Sequence, residues 1–182
     1  SLIPFPILSH NRERGWGLTM SLTDDMDIYQ EQINEKDLTY RFKGKDLPLE
    51  KREEIIKVKN APDFKMTVFK THHGPILDYA LSETTKEKSL SLQWPFYSEK
   101  NDPFTTVFRM GRAKNMQEFK DAVATGMAPG LNILYADKEN IGWWIFGEVW
   151  KKRPGIKTDF ILDGQSGNDE ILGALAMNEK PH

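Results

Sequence analysis

The sequence contains no cysteine. That removes disulfides and thiolate metal sites and leaves the compartment open, because many secreted proteins also lack cysteine. Net charge is nearly absent too: 25 Lys and Arg against 27 Asp and Glu give −2 at pH 7. The basic residues are interspersed with acids, so no basic face is offered to a phosphate backbone, and nucleic acid is not an expected partner. No apolar run approaches the roughly 18 residues of a membrane-crossing helix, and the N-terminus lacks the basic-then-apolar layout of a signal peptide, so no membrane partner is expected. Glycine-rich phosphate loops, a G-x-S-x-G elbow and internal repeats are also missing.

At 182 residues the chain is long enough to bury about 70% of its unfolded surface, and residues 1–182 read as a single region with a β-rich part over residues 30–110. It opens in the apolar stretch Leu2-Ile3-Pro4-Phe5-Pro6-Ile7-Leu8 and stops at Pro181-His182, which reads as a piece of a longer protein. Residues 7–29 are the organising stretch. They combine extended segments, Gly15 and Gly17, and the turn Asp24-Asp25-Met26-Asp27, which sets three carboxylates within four residues.

Alternation and turn residues point to an α+β fold dominated by antiparallel strands, with few helices. Asn11 to Arg14 read as a turn before a strand at Trp16 to Thr19, and Asp27 to Asn34 as a short helix or strand. A hairpin is expected around Gly44, and Glu50 to Glu54 as a charged, solvated surface turn. Residues 54–59 and 64–71 pair around Asn60-Ala61-Pro62-Asp63. A polar connection rich in Lys and Thr then leads to a half-buried strand in which Leu90, Leu92 and Trp94 alternate with Ser89, Ser91 and Gln93. One helix is legible over residues 116–125, with Asn115 as cap, Glu118 completing a capping-box-like pair, Gly126 at the end, and Met116, Phe119, Ala122 and Val123 facing a core. Strands at 131–137 and 141–147 flank a turn, and a further strand is expected at 160–164.

Among residues able to carry chemistry, Asp24, Asp25 and Asp27 offer the hard oxygens calcium prefers, and a solvated acidic loop is the competing reading. Asp137, Glu139, Gly142 and Glu148 fall at some EF-hand offsets, but Ile141 stands where a ligand is required. His72 and His73 are neighbours, and on a strand they would point to opposite faces, which argues against a shared metal and for structural histidines. A free N-terminal serine can act as nucleophile and base; for Ser1 a residue left over from expression is the plainer reading.

The motifs S-H-N-R-E-R-G-W-G-L-T (9–19), D-D-M-D-I-Y (24–29), T-H-H-G-P (71–75), the leucine-bearing strand ending in Trp94, N-x-x-Y-A-D (132–137) and N-I-G (140–142) stand in an order that resembles the penicillin acylases, or penicillin amidases. These are N-terminal-nucleophile hydrolases that cleave amide bonds of acylated substrates. The resemblance implies the central part of a β-chain with a partial αββα fold. The catalytic serine is then expected several tens of residues upstream of Ser9, and the oxyanion asparagine shortly beyond His182. Asn178 resembles a different, upstream asparagine of the family.

Carried over residue by residue, the resemblance gives the Met20 backbone N–H to the oxyanion hole. It gives Leu8, Leu18, Leu22, Trp94 and Leu131 to the acyl pocket, and Asp24, Asp27 and the Met26 carbonyl to calcium, with no organic cofactor. The implied partners are a small-molecule acyl amide, penicillin-like or acyl-homoserine-lactone-like, together with the α-chain and the remainder of the β-chain of the same precursor. The parent is expected to be periplasmic or secreted, and the isolated chain inactive. The other class of reading is a non-catalytic, β-rich, calcium-binding module.

Overall fold

A computed structural model describes residues 6–77 and 89–182. Ser1 and the Lys- and Thr-rich connection lie outside the described residues. The first strands are β1 (Ser9–His10), β2 (Arg14–Met20), β3 (Asp27–Glu31), β4 (Ile33–Asn34), β5 (Thr39–Phe42), β6 (Lys45–Pro48), β7 (Glu50–Ile56), β8 (Phe64–Lys70) and β9 (Ser89–Gln93). Helices α1 (Pro103–Arg112) and α2 (Met116–Val123) follow, then β10 (Leu131–Asp137), β11 (Ile141–Phe146), β12 (Trp150–Lys151), β13 (Leu162–Asp163) and β14 (Gly173–Ala174). The fold class is α+β. Among the described residues, strand pairs are antiparallel except β13 with β3. Contacts divide the chain into two compact units, residues 1–25, 95–151 and 171–182 in one, and 26–94 and 152–170 in the other.

In the first unit the sheet runs β1-β2-β10-β11. Cross-strand partners share a face, and Trp16 opposite Tyr135 and Leu18 opposite Ile133 build one apolar side. Helix α2 closes that side with Phe119, Ala122 and Val123, all essentially fully buried. The expected stripe is therefore the core, and the Asn115 side chain accepts from the Glu118 N–H at 2.8 Å as its cap.

Helix α1 has no counterpart in the sequence reading. Its start is well signalled, since Asp102 accepts from Thr105 N–H at 2.9 Å and Pro103 stands in the first turn. Its inward residues, however, are Thr106 and Met110, while Phe104 and Phe108 are exposed. The apolar periodicity thus marks the wrong face.

In the second unit, β13-β3-β9 form one sheet, β4-β5-β6 another, and β7-β8 a two-stranded ribbon. Asp27 to Asn34 resolve as strands β3 and β4, and Lys43 and Gly44 turn between β5 and β6 with positive φ. The surface turn expected at Glu50 to Glu54 is instead part of β7, paired along its whole length with β8. Its charges alternate across the ribbon, so that Lys51 meets Glu53 at 2.8 Å and Arg52 meets Glu54 at 2.7 Å, two residues apart on one face. Charge alone does not distinguish a solvated strand from a solvated turn. The strand expected at 160–164 shortens to β13.

Strand β9 is covered on both sides rather than half-buried: Leu90 and Ser91 are both buried. The chain after β8 packs against it through Gly74, whose φ is +149° and whose hypothetical Cβ would lie 1.9 Å from Leu92 O. Only glycine tolerates that approach.

Candidate functional site

Hydrogen-bond parity defines the Met20 edge of the first unit. Asn11 N–H donates to Arg14 O at 2.8 Å on the β1 side, and Ser21 N–H donates to Gly130 O at 3.2 Å on the β10 side. Antiparallel ladders alternate the direction of successive backbone groups. Even-numbered residues of β2, Met20 included, therefore direct their N–H away from β10; among the described residues β1 pairs with Gly15 and Trp16. The Asn132 side chain braces this edge: its amide donates to Met20 O at 3.0 Å and to Thr19 Oγ1 at 3.3 Å, while its Oδ1 accepts from Trp143 Nε1 at 3.0 Å.

The expected pocket residues have divergent surroundings. Leu18 and Leu131 pack against the aromatic core of the first unit. Leu8 and Leu22 are exposed, Leu22 at 87% and with φ of 52°. Trp94 is half-buried and belongs to the second unit.

The acidic turn is likewise divided. Asp24 is exposed in the first unit, whereas Met26, exposed, and Asp27, buried, belong to the second. Asp27 Oδ1 accepts from Lys152 Nζ at 2.8 Å. A calcium ion that used this oxygen would have to displace the lysine ammonium.

A cluster of histidines and glutamates lies in the second unit. Thr71 to Gly74 do not continue β8. Thr71 Oγ1 accepts from His73 N–H at 3.2 Å, and Thr71 N–H donates to Gly74 O at 3.0 Å, which folds the segment into a turn. The expectation that His72 and His73 face opposite ways is thereby overturned: their ring centroids are 3.8 Å apart. The strand rule of alternating faces does not apply off a strand.

His73 is buried, stacked on Tyr29 with centroids 3.8 Å apart. Its Nδ1 is 2.8 Å from Glu31 Oε1 and its Nε2 2.8 Å from Glu170 Oε1. Carboxylates only accept, so this arrangement, with an acceptor facing each ring nitrogen, favours the imidazolium form of His73. Thr71 Oγ1 and Ser91 Oγ also donate to Glu31 Oε1, each at 2.7 Å. His72 completes the cluster with Nε2 3.6 Å from Glu170 Oε1 and Nδ1 3.1 Å from the Tyr40 hydroxyl.

The penicillin amidase family model matches residues 1–182. The chain belongs to the penicillin amidase family. Within that family it is 30% identical over 166 residues to an acyl-homoserine lactone acylase, QuiP, of Pseudomonas aeruginosa, covering 84% of this chain and 19% of that protein. It is 30% identical over 171 residues to penicillin G acylase of Escherichia coli, covering 93% of this chain and 18% of that protein. The solved structure of a thermostable penicillin G acylase from Alcaligenes faecalis superposes with a TM-score of 0.79 at 27% identity, over 93% of this chain and 30% of that one. The chain thus spans about a fifth of the length of these curated relatives, and the relatives are acylases.

In this member of the penicillin amidase family the sequence reading missed Glu31, Glu170, Asn132 and Lys152. Glu31 at the end of a strand and Glu170 in a polar loop carry no local signal; their partners lie 42 and 97 residues away along the chain. Asn132 was present only as the first letter of N-x-x-Y-A-D.

Protonation of the cluster predicts the pH dependence of the second unit. Burial pulls the His73 pKa down, but hydrogen bonds to Glu170 and Glu31 outweigh it and leave the pKa above its ordinary 6.5. Burial would raise Glu170, but hydrogen bonds from His72 and His73 hold it well below its ordinary 4.5. The His73 contribution is full below 6.5 and is lost as pH rises through the elevated folded value. The Glu170 contribution is full above 4.5 and is lost as pH falls through the depressed one. Urea unfolding at a series of pH values should show the second unit more stable near pH 5.5 than near pH 8.5; equal midpoints would exclude a charged His73 as a contributor.

Proposed function

We propose that this chain is the central part of the β-chain of an amidohydrolase that cleaves the amide bond of N-acylated small molecules, penicillin-like or acyl-homoserine-lactone-like. In this reading the nucleophile is an N-terminal serine outside these 182 residues, with its own α-amino group as base. The α-chain and the remainder of the β-chain complete the enzyme, in the periplasm or outside the cell. The observation that carries the reading is the parity of β2, which aims the Met20 N–H away from β10. A backbone donor so directed can stabilise the oxyanion that forms as the serine attacks the amide carbonyl. It works as well with Met as with any residue other than proline, and such a donor is typically worth about 10²–10³ in rate. Asn132 supports that geometry by holding the Met20 carbonyl and the Thr19 hydroxyl. Apolar side chains at Leu8, Leu18, Leu22, Leu131 and Trp94 suit an apolar acyl group. Calcium belongs to the reading through Asp24, Asp27 and the Met26 carbonyl on the condition that it displaces Lys152 from Asp27 Oδ1, and no step depends on it.

The experiment compares the 182-residue chain with the longer reading frame that encodes the upstream serine, using a chromogenic phenylacetyl amide and an N-acyl homoserine lactone. The isolated chain should be inactive and the longer protein active on at least one substrate. In the longer protein Met20→Pro should lower kcat by about 10²–10³ and Met20→Leu should leave it unchanged. Turnover by the isolated chain, or full activity in Met20→Pro, would overturn the proposal.

A further inference from the structure

We infer that His72, His73 and Glu170 form a binding site for a borderline divalent transition ion of the Zn²⁺ class. One donor atom from each of the three lies within 4.8 Å of the others. Around a tetrahedral Zn²⁺ with bonds of about 2.0–2.2 Å, ligand atoms stand roughly 3.3–3.6 Å apart. Glu170 Oε1 is 2.8 Å from His73 Nε2 and 3.6 Å from His72 Nε2, so these two separations need only sub-ångström adjustment. Two imidazoles and one carboxylate are softer than the all-oxygen sets of calcium and magnesium, and they leave a fourth position for water.

The surroundings are those a ligating histidine requires. Each ring has its Nδ1 engaged away from the shared carboxylate, His73 by Glu31 and His72 by the Tyr40 hydroxyl. Such partners fix the tautomer and leave Nε2 for the ion. Glu31 is itself held by Thr71 and Ser91. The loop bearing Glu170 is anchored one residue earlier: Asp169 O accepts from the Tyr29 hydroxyl at 3.1 Å, and its carboxylate accepts from Asp163 N–H at 2.8 Å. Access is from one side, because the side chains of His72 and Glu170 are 32% and 22% exposed while that of His73 is 1% exposed.

Binding balances as an exchange. The ion takes the place of the proton on His73 Nε2, which leaves to solvent. His73 keeps its Nδ1–H on Glu31, and His72 carries its own Nδ1–H toward the Tyr40 oxygen. No oxidation is involved, and the inference does not rest on the amidase reading, since all of these residues lie in the second unit.

The test is calorimetric titration of the full metal-stripped chain with Zn²⁺ alone, repeated in buffers of different ionisation enthalpy to count protons, and with Co²⁺ to read coordination from visible absorption. The expected result is one ion per chain with release of a proton and a four- or five-coordinate Co²⁺ spectrum. Affinity should fall at least tenfold in His72→Ala and about 10-fold in Tyr40→Phe, with the circular dichroism of the metal-free variants unchanged. If His72→Ala fails to fold, His72→Gln is read by the same criterion. No uptake of Zn²⁺ at micromolar concentration, uptake undiminished when His72 is replaced, or displacement of Zn²⁺ by equimolar Ca²⁺ would each overturn the site.

Discussion

Glu31→Ala should destabilise the second unit by about 3–5 kcal/mol, the usual cost of removing one partner of a buried ion pair. The Glu31 side chain is fully buried, and its Oε1 receives His73 Nδ1, Thr71 Oγ1 and Ser91 Oγ at 2.7–2.8 Å. Truncation leaves an imidazolium facing a void on one side and two hydroxyls without their acceptor. Folded domains hold only about 5–15 kcal/mol in reserve, so the loss should be visible as accelerated amide exchange in β3 and β9. Glu31→Gln keeps the shape and an acceptor but not the charge, so its loss should be smaller. The double replacement of Glu31 and His73 should cost less than the sum of the single ones, because each single variant strands the other's charge. A Glu31→Ala cost under about 1 kcal/mol, or strict additivity, would mean that the cluster does not act as a buried charged unit.

Phe119→Ala should cost about 3–5 kcal/mol in the first unit, through lost transfer energy and the cavity left behind. Phe119 is fully buried on α2 and meets three aromatic rings of the sheet: Tyr135 at 4.9 Å between centroids, Trp16 at 6.0 Å and Trp144 at 6.3 Å. These partners sit on rigid strands that cannot collapse into the space, which puts the expected value in the upper part of the range. Phe119→Leu retains most of the buried surface and should recover more than half of the loss. Chemical denaturation followed by tryptophan fluorescence reports directly, since Trp16 and Trp144 line the same core. An alanine variant with an unshifted midpoint would refute this account of the packing.

How far the molecule is legible without coordinates depends on the range of the interactions concerned. The Asn115 cap, the turn at Asn11 to Arg14, the hairpin between β10 and β11 and the inward stripe of α2 are all encoded within a few residues, and the structure places them as expected. Helix α1 escaped because Phe104 and Phe108 face outward while Thr106 faces in, so its hydrophobic pattern contradicts its packing. The charged strand β7 escaped because its identity depends on pairing with β8, which no local pattern records. The same limit applied to Ser91: a serine on an alternating strand reads as the wet face until Glu31 is seen beside it.

The sequence by itself determined the family, through short motifs whose order is preserved, and with it the α+β class. It determined those things because glycine, capping and turn residues act through their own backbone. Only the tertiary structure decided that His72 and His73 share a face, that Glu31 and Glu170 close on His73 from opposite sides, and that Lys152 stands on Asp27. Each of these joins groups distant along the chain, and the charge of a buried ring depends on which acceptors the completed fold brings to its two nitrogens.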